Sequence, residues 1–237
     1  MKSTKTLLAL FCAAALFSCK KDLAGSGHVI TQQRQAGNFT AVTCKGDFLI
    51  VLKKAAATAI DVTGEDNVLE KTVTEISNGI LTVRYADGIK THKNKQVTVN
   101  VSLPAFSSVQ LEGSGNIKSE EHWSIPHLTT NINGSGYITL YAEGETFDGE
   151  VNGSGKLFML FSKFQASSIH VNGSGNVNAN LFTTDTADIR IDGSGGCSIN
   201  VNTKLKAKIN GSGTIYYKGN PDTNITVAGS GKVVKSS

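Results

Sequence analysis

From residue 109 onward, aliphatic and polar residues alternate about a recurring corner. Gly-Ser-Gly occurs seven times, with its first glycine at Gly113, Gly134, Gly153, Gly173, Gly193, Gly211 and Gly229, so successive copies lie 18 to 21 residues apart. Two positions before that glycine stand Leu111, Ile132, Val151, Val171, Ile191, Ile209 and Val227, every one a branched aliphatic. The position four before is mostly apolar, from Val109 to Ile225, and four after come Ile117, Ile138, Leu157, Val177, Cys197, Ile215 and Val233. Period-two alternation on both sides of a fixed corner predicts two short strands per unit, each with one face buried. A third inward position, six before the glycine, holds Leu128, Phe147, Ala187 and Leu205. Asn133, Asn152, Asn172, Asp192 and Asn210 directly precede the glycine, which suits a corner whose backbone visits positive φ.

Each unit is thus a strand, a glycine corner, a second strand and a connector of about half a dozen residues. Two architectures fit. In a β-solenoid each unit is one coil stacked on the last; in an antiparallel meander each Gly-Ser-Gly is a hairpin turn. Stacking is preferred because it explains why one residue type returns to one place in every copy. The predicted fold is therefore all-β, a solenoid (parallel β-helix) of about seven coils over residues 111–237. Residues 37–110 lack the repeat and read as an N-terminal β segment capping the solenoid, with strands near 39–44, 47–53, 58–63, 80–85 and 97–103 and a short helix over 66–73. The last coil is the open end, where Lys232 and Lys235 could guard the edge, and a homo-oligomer is one way to cover it.

The first 36 residues follow a different pattern. Lys2 and Lys5 precede an apolar run over residues 7–17 that ends in Ser18-Cys19. This is the form of a secretory signal, too short to span a bilayer as a permanent helix. Leu16-Phe17-Ser18-Cys19 is similar to the bacterial lipobox, in which the cysteine is acylated on sulfur and becomes the new N-terminus. Residues 1–18 then form a lipoprotein signal peptide and Cys19 is the lipidation site, with the membrane a partner through the lipid anchor. The expected address is the cell envelope, the outer membrane preferred. Residues 19–36 are polar and aperiodic and read as a flexible tether. A product starting at Cys19 has 21 basic and 19 acidic residues, a balance that argues against nucleic acid as the main partner. Cys44 and Cys197 could pair in an exported protein, but their preferred reading is two small buried apolar side chains.

Three segments stand before the repeat: Phe39-Thr-Ala-Val-Thr-Cys-Lys-Gly-Asp-Phe-Leu-Ile-Val-Leu, Gly79-Ile-Leu-Thr-Val-Arg-Tyr and Val97-Thr-Val-Asn-Val-Ser-Leu-Pro104. Together with the Gly-Ser-Gly units, and in that order, they resemble the head GIN domain family of auto-transporter adhesins over about residues 37–237. The resemblance implies a β-helical fold on a secreted or surface lipoprotein, and it carries over no functional residues.

Motifs for chemistry are few. There is no phosphate loop and no nucleophile elbow, and the serines of Gly-Ser-Gly are too numerous to be nucleophiles. The calcium β-roll needs an aspartate in register after the glycines, where this chain has Asn116, Tyr137, Lys156, Asn176, Gly196, Thr214 and Lys232. Glu120, Glu121, His122 and His127 cluster around Trp123 in one connector, but spacing supplies no third ligand, so no metal site, catalytic residue or cofactor is assigned. Asp185, Asp188 and Asp192 lie close in sequence, and two of them flank inward aliphatics, which sends them to solvent singly.

Strand parity places residues five and seven after each glycine on the outside. These are mostly polar, as in Asn178, Asn180, Ser198 and Asn200, but Tyr141, Phe158 and Leu160 are expected to form one apolar patch across neighbouring coils. The expected function is a non-catalytic, adhesin-like binding or structural module, facing an envelope protein, a surface glycan or a second copy of itself. The competing readings are a carbohydrate-active β-helix enzyme, which would release reducing sugar from a glycan, and a plain spacer, which would show no saturable ligand.

Overall fold

The computed structural model describes residues 21–92 and 95–236. The repeats stack in parallel, glycine over glycine. Gly46, Gly113, Gly134, Gly153, Gly173, Gly193 and Gly211 form one register column, with Leu111, Ile132, Val151, Val171, Ile191 and Ile209 stacked two residues earlier. Past the corner a second ladder climbs from Thr98 through Leu49, Asn116, Tyr137, Lys156, Asn176, Gly196 and Thr214 to Lys232. Every one of these pairings is parallel, so the corners turn the coil and do not reverse a hairpin. The fold is the predicted all-β solenoid.

The inward columns bury almost completely from Val109 to Ile215, each aliphatic contributing about 1.5–3 kcal/mol by leaving water. The third inward position fills the connector side, where the rings of Phe147, Phe164 and Phe182 form a triangle with centroids 5.5–5.7 Å apart. This packing accounts for the odd member of the aliphatic column: a Cβ on Gly149 would sit 2.8 Å from the Phe147 ring, which already occupies that volume.

The corner has a steric cause that the repeat alone does not reveal. Gly193 adopts φ +130°, and a Cβ there would stand 2.4 Å from the carbonyl oxygen of Gly173 in the coil below. That oxygen accepts from the amides of Ser194 and Gly195, at 2.9 and 3.0 Å. The serine between the glycines faces solvent. The positive φ belongs to the glycine and not to the residue before it, which corrects the role expected of the asparagines. They are strand residues whose carboxamides stack outside: Asn152 Nδ2 donates to Asn133 Oδ1 at 3.0 Å, and Asn210 Nδ2 to Asp192 Oδ1 at 2.6 Å.

The N-terminal segment is part of the solenoid and not only a lid. Ala41–Gly46 pairs in parallel with Ser108–Gly113 above and Ile80–Tyr85 below, so Cys44 enters the same core column as Leu111. Gly46 is an eighth corner, hidden in the sequence because Asp47 and Phe48 follow it where the others have Ser-Gly. Below this level the pairing turns antiparallel. Ala59–Glu65 lies between Thr98–Leu103 and Val29–Arg34, and Thr72–Ser77 pairs with Ile80–Tyr85. Reversing strand direction closes this end of the stack.

Two expectations fail here. The helix is one turn, Asp66–Leu69, because β-branched Thr72 and Val73 pass into a strand. The stretch read as a tether also folds. Lys21–Ala24 pairs in parallel with Ile89–His92, and Val29–Arg34 forms an edge strand. Its half-buried face carries Gln32 and Arg34 beside Ile30, while Val29 is exposed, so the apolar alternation of a strand is lost. Glu65, only 4% exposed, locks this region by accepting the amides of Gly27 and Lys95, at 2.8 and 2.9 Å.

Cys44 and Cys197 are free and buried, and burial pushes both thiols up to about 12. Neither is a nucleophile at neutral pH. At the far end, Asp222–Ala228 is exposed throughout, with Ile225 and Val227 continuing the core columns into solvent.

Candidate functional site

The strands that follow the glycine corner carry the aromatic outward positions. Phe158 pairs with Thr139 on one side and Asn178 on the other, and Tyr141 lies beside His122. Tyr141, Phe158 and Leu160 are all half-buried. They do not form a closed trio but belong to a longer strip. Phe158 contacts Tyr137 with centroids 6.5 Å apart, and Tyr141 stacks on Phe161 at 6.5 Å with the rings 7° from parallel. Leu181, exposed, lies one coil above Phe161.

Tyr137 and Phe161 are additions to the expected set. Tyr137 shares the outward parity of Phe158, three residues after its glycine, and was legible by the same rule. Phe161 was not. It sits in a bend with φ +46°, a left-handed conformation rare for a bulky side chain, and this bend turns it 67% into solvent. Its carbonyl oxygen lies 3.3 Å from His122 Nε2, which ties the bend to a residue two coils below.

Above this strip the same face becomes a groove of about 460 Å³. Phe158 and Lys156 stand at one end and Tyr216 at the other, with Asn176, Asn178, Gly196 and Ser198 between them. Among the described residues, no carboxylate lines it.

The connector around Trp123 is accounted for by packing. Trp123 turns inward, edge-on to Phe106 with centroids 4.8 Å apart, and the Lys54 ammonium lies 5.9 Å from its ring centre. It leaves the aromatic strip uncovered. His127 turns away from His122, with Nδ1 2.8 Å from Thr146 Oγ1. Among the described residues, no three of His, Cys, Asp and Glu come together as a metal site.

The acids before the corner are not single solvated charges, as parity suggested. Asp188 pairs with Lys206 at 2.8 Å, and Asp185 accepts from Asn202 at 2.9 Å. Asp192 is held by the guanidinium of Arg190, by Asn210 and by His170 Nε2 at 2.8 Å, because parallel stacking brings His170 beside Arg190. The Arg190 hydrogen bond, reinforced by Asn210, keeps the Asp192 carboxyl well below the usual carboxylate range. Glu150 accepts from Asn131 at 2.8 Å and Asn152 at 2.9 Å. A glycosidase needs one carboxyl held protonated beside a second. Here the partners that hold Asp192 are a guanidinium and an amide donor, which favour its ionised form.

Comparison with known proteins agrees with this architecture. The sequence profile of the family described as "putative auto-transporter adhesin, head GIN domain" matches residues 38–221. A solved structure from Bacteroides fragilis, described as a putative adhesin, superposes with a TM-score of 0.84 at 19% identity, covering 90% of this chain and all of that one. A putative lipid binding protein from Parabacteroides distasonis gives 0.76 at 21% identity, covering 92% and 100%, and a putative adhesin from Parabacteroides merdae gives 0.73 at 19%, covering 91% and 99%. No significant match is found among proteins of curated function. At these identities the solved structures establish a shared fold. The profile match spans most of the chain, which therefore belongs to the head GIN domain family of putative auto-transporter adhesins.

Proposed function

We propose that this protein is a lipid-anchored, non-catalytic binding module of the bacterial cell envelope, in which a rigid solenoid presents one aromatic face to a partner. The observation that carries this reading is the strip of Tyr137, Phe158, Tyr141 and Phe161, set on a face whose other coils offer mainly asparagine, serine and lysine, with Tyr216 beyond them. A contiguous apolar patch ringed by polar residues on a secreted molecule is a recognition surface. The partner is another envelope protein or a surface glycan. Phe158→Ser and Phe161→Ser are each expected to lower retention of the protein on isolated envelopes several-fold. Their stability should change by no more than about 1 kcal/mol, since both side chains lie outside the core. Unchanged retention, or unfolding, defeats the reading.

The anchor is proposed at Cys19. This residue, the signal run and the lipobox lie outside the described residues, and the support for the anchor is their sequence. Lys21 is already paired with Ile89, so one residue, Lys20, would separate the lipidated cysteine from the first strand. The antiparallel end would then lie against the membrane, which we take to be the outer membrane, and the coils would stack away from it. Cys19→Ser is expected to move the protein from the detergent phase into the soluble fraction. Continued detergent partitioning would rule out acylation at this site.

A further inference from the structure

We propose that the groove between Phe158 and Tyr216 is a subsite for an extended, uncharged oligosaccharide that runs along the solenoid axis. This rests on reading the aromatic face as a contact surface and names the ligand class for its upper part.

Register sets the geometry. Phe158, Asn178, Ser198 and Tyr216 are successive partners in one outward column, so the two rings are three strand steps apart, about 14 Å. A linear β-linked glycan advances by about one strand step per sugar. One pyranose face can therefore lie on Phe158 and another on Tyr216, with the intervening sugars over Asn178 and Ser198. A flat aromatic ring suits the apolar C–H face of a sugar, and carboxamide and hydroxyl groups suit its hydroxyls, which both donate and accept. The side chains of Asn178 and Ser198 make no hydrogen bond to any described residue, so their polar atoms are free for a ligand.

Gly196 gives the groove its depth. It stands in the outward column between Asn176 and Thr214, its φ is ordinary, and a Cβ there would come within 2.7 Å of Asn176 Oδ1. The corner glycines serve the backbone; this one leaves a side chain missing from the floor.

Other ligand classes fit less well. Among the described residues of the lining, Lys156 is the one charged side chain, and its ammonium already lies 5.8 Å from the Tyr137 ring centre, so a polyanion finds too little positive charge. A peptide adding as a strand needs a free edge, and the floor strands are paired on both sides. The volume of about 460 Å³ is in the range of small-ligand sites.

The test is calorimetric titration of the full-length protein in detergent with linear hexasaccharides of β-1,4-linked glucose, N-acetylglucosamine, mannose and xylose. Saturable binding of at least one is expected. Tyr216→Ala should weaken it by about tenfold and Tyr216→Phe by little, because the stacking face is kept. Gly196→Thr should also weaken it by tenfold or more, and threonine is the residue the next coil carries at this place, so the fold is expected to persist. Ser168→Ala, exposed on a strand before the corner and outside the groove, should bind as wild type. No saturable binding to any of the four, or equal binding by Tyr216→Ala and Gly196→Thr, overturns the assignment. Retention on envelopes that still depends on Phe161 would in that case leave the proposed function standing without its sugar subsite.

Discussion

Gly193→Ala is expected to destabilise the protein by about 4 kcal/mol, from adding one methyl group at a solvent-facing corner. Two costs combine. An L-residue at φ +130° pays conformational strain of about 1–3 kcal/mol, and overpacking adds about 1–3 more. The new Cβ would lie 2.4 Å from a backbone oxygen, so no rotamer change relieves it, and the coil must separate from the one below. The oxygen concerned accepts two amide hydrogen bonds, which separation would break as well. In a stack where each coil touches only its neighbours, the damage should start locally. Hydrogen exchange should show loss of protection first around residues 173–195, and the urea midpoint should fall by more than about 1 M. Ser194→Ala, one residue along and exposed, is the control and should change stability by less than about 0.5 kcal/mol. A Gly193→Ala protein as stable as this control would mean that the coils do not stack as closely as the structure has them.

Ile191→Asp should have an effect at least as large, while the same change at Val227 should be mild, although both residues occupy one column of the repeat. Ile191 is fully buried between Val171 and Ile209 in the aliphatic column. An unpaired carboxylate there costs several kcal/mol, a large part of the roughly 5–15 kcal/mol that holds a domain together. Val227 is 39% exposed on the last coil, so its carboxylate would remain hydrated and cost no more than about 1 kcal/mol. Chemical denaturation of the two variants measures the difference. Equal destabilisation would show that the last coil is covered, by a second copy or by some other contact. Comparable tolerance at both sites would refute the axial core.

Much of this fold can be read from the chain because a solenoid repeats one local rule. Aliphatics at minus four, minus two and plus four of each glycine fall in register once the coils stack, and the sequence spacing of those columns needs no long-range information. Where the rule is broken, legibility ends. Gly46 turns a corner without Gly-Ser-Gly, so from sequence the first coil reads as a cap. Gln32 and Arg34 on the half-buried face of Val29–Arg34 conceal an edge strand.

The candidate site divides along the same line. Parity placed Tyr141, Phe158 and Leu160 outside, since the direction of a strand side chain depends only on its distance from the corner. The bend that exposes Phe161, the pairing that gives Asp192 its three partners, and the three-coil separation of Phe158 from Tyr216 depend on connector lengths and stacking register. Those are properties of neighbouring coils. The period, the buried columns and the all-β class are legible in the chain, because each follows from alternation within one unit. Which residues of different units meet is set by the stacking, since that contact exists once the coils are in register and in no single segment of the chain.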